Sequence, residues 1–123
     1  MKRNQMTRKI ELEMINAIES NKNWSKGNTS VVHLNDEKST TEVYLHGNKI
    51  AEIDEDSMTI FDGGYQTTTT KSRLNALCKQ YCIDGECVYQ KNFKWFIDKL
   101  VGESSITGKV FNTYEFVNGF TFA

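Results

Sequence analysis

Four consecutive threonines, 67 to 70, come directly before a basic, apolar-spaced run in the stretch TTTTKSRLNALCKQY. The apolar residues of that run recur with helical spacing, which predicts a helix over residues 70–82. Thr69 or Thr70 is expected to cap its start, because a cap hydroxyl accepts a hydrogen bond from an unpaired backbone N–H group. The remaining hydroxyls exceed what a helix start needs. They are the first candidates for a ligand site.

Lys71 and Arg73 fall in the first turn of this predicted helix, where the macrodipole favours acidic residues instead. An anion held there would offset the unfavourable charge. Together with Thr68, Thr69 and Thr70, the two basic side chains predict a cradle for a phosphate group. An alternative stays open, in which an edge strand leads into a capped helix and the basic side chains extend into water.

Aromatic and amide side chains nearby extend this prediction from an anion to a nucleotide. Tyr65, Phe93 and Trp95 offer faces on which a base can stack. Asn75 and Asn92 offer hydrogen bonds to a base or a ribose. The competing interpretation places these aromatics in the core, because aromatic residues in strands usually pack there.

Other chemistry is not indicated. Cys78, Cys82 and Cys87 have C-x3-C-x4-C spacing, which matches no common zinc pattern, and they are expected to stay reduced. His33 and His46 have no serine or cysteine nucleophile in an evident context, and no HExxH, GxSxG or Walker motif occurs. The sequence therefore predicts a binding protein without catalytic residues, a metal site or a cofactor.

An amphipathic N-terminal helix is predicted over residues 6–21, with Thr7 as its cap. Its apolar stripe consists of Ile10, Met14, Ile15 and Ile18. Lys9, Glu11, Glu13 and Glu19 are expected to face away from the core. The stripe needs a surface to pack on, and a second chain is preferred over the protein's own sheet, so residues 1–23 are a predicted oligomerisation element.

From residue 29 onward the apolar period changes to two, which indicates strands. Strands are predicted at TSVVHL and MTIFD, and three hairpins at turns over Gly47–Asn48, Lys91–Asn92 and Asn118–Gly119. The connections are too short for parallel crossovers. The prediction is one α+β domain over 1–123, in which an antiparallel sandwich or Greek-key-like sheet over 29–123 carries the second helix.

Composition narrows the function classes. The 123 residues carry a net charge of −1, which argues against non-specific binding to long nucleic acids. No apolar run reaches membrane-spanning length, and Glu11 and Glu13 interrupt any signal-peptide core. The expected location is the cytoplasm of the cell that makes the protein.

Three segments, EVYLHGNKIAEI, GGYQTTTTKSRLNAL and VYQKNFKWFI, resemble in this order those of the anti-Thoeris family of phage and prophage proteins. The similarity covers about residues 29–97. It implies a β-rich homo-oligomer in the bacterial host cytoplasm that sequesters glycocyclic ADP-ribose, made by host TIR-domain enzymes, without cleaving it; some members also hold cyclic oligonucleotides. Arg73 and Asn75 would contact the ligand, followed by Asn92 and a nearby aromatic.

Two rival functions remain. A phage protein could instead inhibit a host factor by direct contact, using its first helix and its exposed hairpins. A hydrolase of a cyclic nucleotide is the third possibility. Recovery of intact ligand after heating would separate a sponge from an enzyme.

Overall fold

The computed structural model describes residues 8–123 and confirms an α+β architecture in which every strand pairing is antiparallel. Its two helices are α1 (Lys9–Glu19) and α2 (Thr68–Tyr81). The strands are β1 (Trp24–Lys26), β2 (Thr29–His33), β3 (Thr41–Leu45), β4 (Asn48–Ile53), β5 (Met58–Ile60), β6 (Cys87–Lys91), β7 (Lys94–Ser104), β8 (Gly108–Glu115) and β9 (Phe120–Phe122).

The large sheet has the order β1-β2-β3-β4-β5-β9 and is apolar on one face only. Alternation within each strand produces this, as in β3, where Thr41, Val43 and Leu45 are buried and the residues between them are half-buried. α1 packs on β2, and α2 contacts β4 and β6. Met14 of α1 and Leu74 of α2 are fully buried in the core between helices and sheet.

The small sheet has the order β6-β7-β8. Its β7–β8 hairpin was not predicted, and β7 continues through 11 residues to Ser104. Trp95 anchors the inner end, with its ring edge-on to Phe116 at 5.4 Å between centroids. Farther out, the Phe111 ring lies against Gly85, where a Cβ atom would stand 2.5 Å from it.

Two predicted turns are each wrong by one residue. The loops are His46–Gly47 and Asn92–Phe93 rather than Gly47–Asn48 and Lys91–Asn92. All four loop residues have positive φ, between 53° and 78°, which is the backbone of a primed two-residue turn. The Asn92–Phe93 loop was missed because a bulky residue such as Phe93 rarely adopts this conformation.

The third predicted hairpin, around Asn118–Gly119, is also wrong. β9 leaves β8 and pairs with β5 in the large sheet, with Phe120 opposite Ile60. Burial of Phe122 in the main core explains the crossing, since pairing with β8 would remove that side chain from the core. Asn118 and Gly119 stabilise the crossover instead: Asn118 Oδ1 accepts from the Asp62 N–H at 2.8 Å, and the Gly119 N–H donates to the Ile60 carbonyl at 2.8 Å.

The helix boundaries and one helix face also differ from prediction. α1 spans Lys9–Glu19 rather than 6–21, and the predicted Thr7 cap lies outside the described residues. Glu11, expected to face away, is buried with 2% of its surface exposed. β1 was not predicted, because WSK has little apolar alternation. α2 begins two residues earlier than predicted, and its cap is Thr67 rather than Thr69 or Thr70.

Candidate functional site

Arg73, the centre of the predicted phosphate cradle, lies in the interior with 3% of its surface exposed. Its Nη1 donates to Glu11 Oε2 at 2.8 Å, its Nε to Thr29 Oγ1 at 3.0 Å and its Nη2 to Asn28 Oδ1 at 3.3 Å. The guanidinium therefore lies against α1 and the start of β2. Each of its three nitrogens donates a hydrogen bond to a protein group.

Glu11 is the counterpart of this arginine. Its Oε2 also accepts a hydrogen bond from Ser72 Oγ at 2.6 Å, and its Oε1 accepts one from the Arg8 backbone N–H at 3.1 Å. Charge and hydrogen-bonding capacity are thus satisfied inside the protein, as a buried ion pair requires. This Glu11–Arg73 pair joins α1 to α2 and to β2.

The threonines divide between capping and exposure. Thr67 Oγ1 accepts a hydrogen bond from the Thr70 backbone N–H at 3.1 Å, and its hydroxyl pairs with that of buried Thr70 at 2.9 Å. Thr68 is exposed, and Thr69 and Lys71 are half-buried. Two hydroxyls therefore complete the cap, whereas Thr68, Thr69 and Lys71 remain near the helix start without Arg73.

Asn75 joins α2 to the small sheet. Its Nδ2 donates to the Val88 carbonyl at 2.7 Å, and its Oδ1 accepts from the Val88 N–H at 2.8 Å. A side-chain amide used in this bidentate way replaces a neighbouring strand, since it satisfies both backbone groups of one β6 residue. Both of the amide's polar atoms are occupied in the fold.

A cleft of about 650 Å³ lies between the second half of α2 and the segment 82–88. The three cysteines all contribute to its lining, with Ser72, Asn75 and Lys79 among the other residues. All three thiols are free. The pKa of the Cys78 thiol is raised by its hydrogen bond with Cys82 and by burial, so Cys78 is a poor nucleophile.

Acidic groups outnumber basic ones around this cleft. Glu11, Asp84 and Glu86 line it, against Lys79 alone. Glu11 is neutralised by Arg73, and the Glu86 carboxylate accepts the Ile83 and Leu100 backbone N–H groups at 3.1 and 2.9 Å. Asp84 and Lys79 are then the charges with the greatest freedom to meet a ligand there.

The predicted stacking residues differ widely in how much of their surface is exposed. Trp95 is a core residue with 3% of its surface exposed, whereas Tyr65 is 68% exposed and precedes α2. Phe93 is 94% exposed at the tip of the β6–β7 hairpin, beside exposed Asn92. The structure therefore does not assemble Tyr65, Phe93 and Trp95 around one ligand, and the ligand-binding roles of all ten predicted residues stay predictions.

The β6–β7 turn departs from ordinary hairpin chemistry in three respects. Phe93 has a φ of 67°, in the left-handed region where glycine is favoured. Its ring is almost wholly exposed. Lys91 and Lys94 are cross-strand partners, so two like charges face each other directly below the turn.

The two histidines lie in different environments. His33 lies between α1 and β3, with its Nδ1 2.8 Å from Thr41 Oγ1 and its Nε2 3.3 Å from the Ala17 carbonyl. His46 is exposed in its turn. Among residues 8–123, no group of three or more histidine, cysteine or acidic side chains is placed to hold a metal ion.

Sequence reasoning missed Glu11, Lys91 and Lys94. Glu11 shares a helical stripe with Met14, Ile15 and Ile18, so its spacing was a usable signal of burial. The pairing of Lys91 with Lys94 follows from the register of the turn, which no sequence signal indicated.

No helix in the described part of the chain is both long and apolar enough to cross a membrane. Comparison with known proteins finds no curated protein and no solved structure that matches. Residues 7–123 match the family described as Kyanoviridae Gp96 protein. This match covers nearly the whole chain, and the protein therefore belongs to the Kyanoviridae Gp96 family of phage proteins.

Proposed function

We propose that this phage protein is a non-catalytic binding protein that contacts another protein through the β6–β7 turn. The observation that carries the proposal is Phe93, a bulky aromatic residue that is 94% exposed in a left-handed backbone conformation. Local strain of this kind persists where function requires it. An aromatic side chain presented on a fixed turn is also a typical anchor for a protein interface.

The strain has an estimable size. A left-handed conformation costs an L-residue roughly 1–2 kcal/mol relative to the right-handed region. The exposed ring recovers little of this through packing. Glycine at position 93 would relieve the strain, although its greater freedom in the unfolded chain offsets part of the gain. We therefore expect Phe93→Gly to stabilise the fold by roughly 0.5–1 kcal/mol.

The charges around the turn indicate the partner's chemistry. Lys91 and Lys94 face each other across β6 and β7 and are both exposed, and neither forms an ion pair with another described residue. A partner with an apolar pocket and an acidic rim would receive the phenyl ring and relieve the repulsion. A convex turn has no walls to enclose a small molecule, which favours a protein partner over a nucleotide at this position.

The test begins with a photoreactive phenylalanine analogue at position 93, with the same group at exposed Val101 as the matched control. Crosslinking in infected cells should yield one product specific to position 93. Binding to that purified partner should fall at least about 30-fold for Phe93→Gly, as for an interface hot spot. A Phe93→Gly variant that is more stable and yet binds the partner within about twofold of wild type would refute the proposal.

A cyclic-nucleotide sponge is the second candidate, to which the anti-Thoeris resemblance pointed. What supports it is the cleft beside α2, whose volume of about 650 Å³ falls in the range of small-molecule sites. Lys79 would pair with the pyrophosphate, and the Ser72 hydroxyl oxygen, whose proton is donated to Glu11, would accept a hydrogen bond from a ribose hydroxyl or a base N–H group. Because Arg73 is buried, the proposed ligand site is this cleft rather than the start of α2.

Calorimetry with glycocyclic ADP-ribose tests that candidate directly. Tight binding that is lost in Lys79→Glu and retained in the control Lys91→Glu would support a sponge. Recovery of intact ligand after heating would then separate binding from hydrolysis. Absence of any heat of binding to the wild-type protein would eliminate the cleft as a site for this ligand.

A further inference from the structure

The outer edge of β8 is unpaired within residues 8–123. β8 lies at the end of the small sheet, next to β7 only, and spans Gly108–Glu115. All of its residues except Phe111 are exposed. A long exposed edge presents a row of free N–H and C=O groups, and natural proteins usually protect such edges or pair them. The sequence has no proline with which to block it.

The hydrogen-bonding phase of this edge follows from one contact. The Phe116 N–H donates to the Trp95 carbonyl at 2.9 Å, so the backbone groups of residue 116 point towards β7. Successive residues of a strand direct their N–H and C=O groups to opposite sides. Residues 109, 111, 113 and 115 therefore present theirs to the free edge, and none of these backbone groups has a partner among the turn and loop hydrogen bonds of the described chain.

We infer that β8 pairs with β8 of a second copy of this chain, antiparallel and in register about Asn112, to form a homodimer. Two antiparallel copies can form backbone hydrogen bonds only where residues that face the free edge oppose each other, so every second register is allowed. The register centred on Asn112 uses the whole strand. It pairs 109 with 115 and 111 with 113, giving about eight interchain hydrogen bonds.

Side-chain chemistry selects the same register. Lys109 of each copy stands opposite Glu115 of the other, so two ion pairs form across the interface. Within its own chain Lys109 stands opposite Glu103 of β7 but forms no ion pair with it, and its ammonium group has one long contact, at 3.5 Å from the Asp84 carbonyl. On the opposite face, Val110 and Tyr114, each 40% exposed, become cross-strand neighbours. Shifting the register by two residues removes both ion pairs and this apolar pair.

Charge exchange tests the interface. Light scattering of the full chain should report twice the monomer mass of 14.1 kDa. Lys109→Glu alone and Glu115→Lys alone place like charges opposite each other, and each should weaken dimerisation by about tenfold. An equimolar mixture of the two variants should form heterodimers, because every opposed pair is then of unlike charge. Lys91→Glu, on the far strand of the same sheet, is the control and should leave dimerisation unchanged.

A cysteine scan tests the register. In the proposed dimer Asn112 opposes itself across the two-fold axis at about 4.5 Å between Cα atoms, within the range for a disulfide. Asn112→Cys should therefore give a covalent dimer on mild oxidation. Val110→Cys should not, because its two copies would stand roughly 13 Å apart along the strands. Wild type controls for the natural cysteines.

A monomer at all accessible concentrations would overturn the inference, and so would equal crosslinking of both cysteine variants. Pairing of β8 with a peptide from another protein, or open-ended aggregation, would appear as a different mass and would also count against it. Neither result bears on the partner of Phe93, because that turn lies outside the paired strand. The dimer and the proposed function can therefore fail separately.

Discussion

Replacement of Glu11 by alanine should be among the most damaging single changes in the described chain. The substitution leaves the Arg73 guanidinium in the interior, with 3% of its surface exposed, and removes its charge partner at 2.8 Å. Breaking a buried ion pair in this way costs roughly 3–5 kcal/mol. Since a domain of this size is stable by roughly 5–15 kcal/mol, the loss is a large share of the total. We expect Tm to fall by roughly 12–20 °C.

The assay is urea unfolding followed by tryptophan fluorescence, which reports on buried Trp95 and half-buried Trp24. Glu13→Ala is the matched control, because Glu13 lies on the same helix and pairs with Lys26 at 2.9 Å in an exposed position. An exposed pair contributes at most about 1 kcal/mol. The double variant Glu11→Leu/Arg73→Met removes both charges and should recover most of the lost stability, because the isolated charge is then absent.

Equal destabilisation by Glu11→Ala and Glu13→Ala would refute this reasoning. Such a result would mean that the guanidinium reaches water when its partner is removed, and Arg73 would again be available to an anionic ligand.

Three further predictions concern single side chains. Asn75→Ala should destabilise the fold by roughly 1–3 kcal/mol and speed hydrogen exchange at Val88, because it leaves that residue's backbone groups unpaired. Cys78 should resist alkylation at pH 8 until the protein unfolds, since its hydrogen bond with Cys82 and its burial raise its pKa. Backbone N–H groups lower the pKa of Asp54 below its ordinary value of 3.8. The contribution of Asp54 to stability is therefore present above about pH 4 and lost as pH falls through the lowered pKa. Asp54→Asn should remove this part of the pH dependence of the free energy of unfolding, measured by urea denaturation at a series of pH values.

Sequence periodicity predicted the elements well because it reports directly on which face of each element is buried. The helical stripe in α2 and the alternation in β3 are both realised. The same stripes also contain charged residues, whose burial their spacing indicates. Arg73 lies on the stripe with Leu74 and Leu77, and Glu11 on the stripe with Met14, so both buried charges occupied positions that spacing assigns to the core.

Pairings between distant segments were beyond sequence reasoning. Whether Arg73 meets a ligand or a carboxylate depends on the placement of α1 against α2, which no local pattern specifies. The partner of β9 is likewise set by burial of Phe122 beside β5 rather than by the nearby Asn118–Gly119 turn signal. The Asn92–Phe93 turn was not predicted for the opposite reason, because Phe93 takes a positive φ where the local turn rule expects glycine.

The two proposals together predict avidity. An antiparallel β8 pairing joins two three-stranded sheets edge to edge and places the two Phe93 turns at opposite ends of the combined sheet. Two anchors on one rigid dimer should bind a densely immobilised partner about 100-fold more tightly than one anchor does. Glu115→Lys should remove this gain on a dense surface and leave affinity for the soluble, monomeric partner unchanged. Equal losses in both formats would show that Glu115 acts on the turn itself rather than through the dimer.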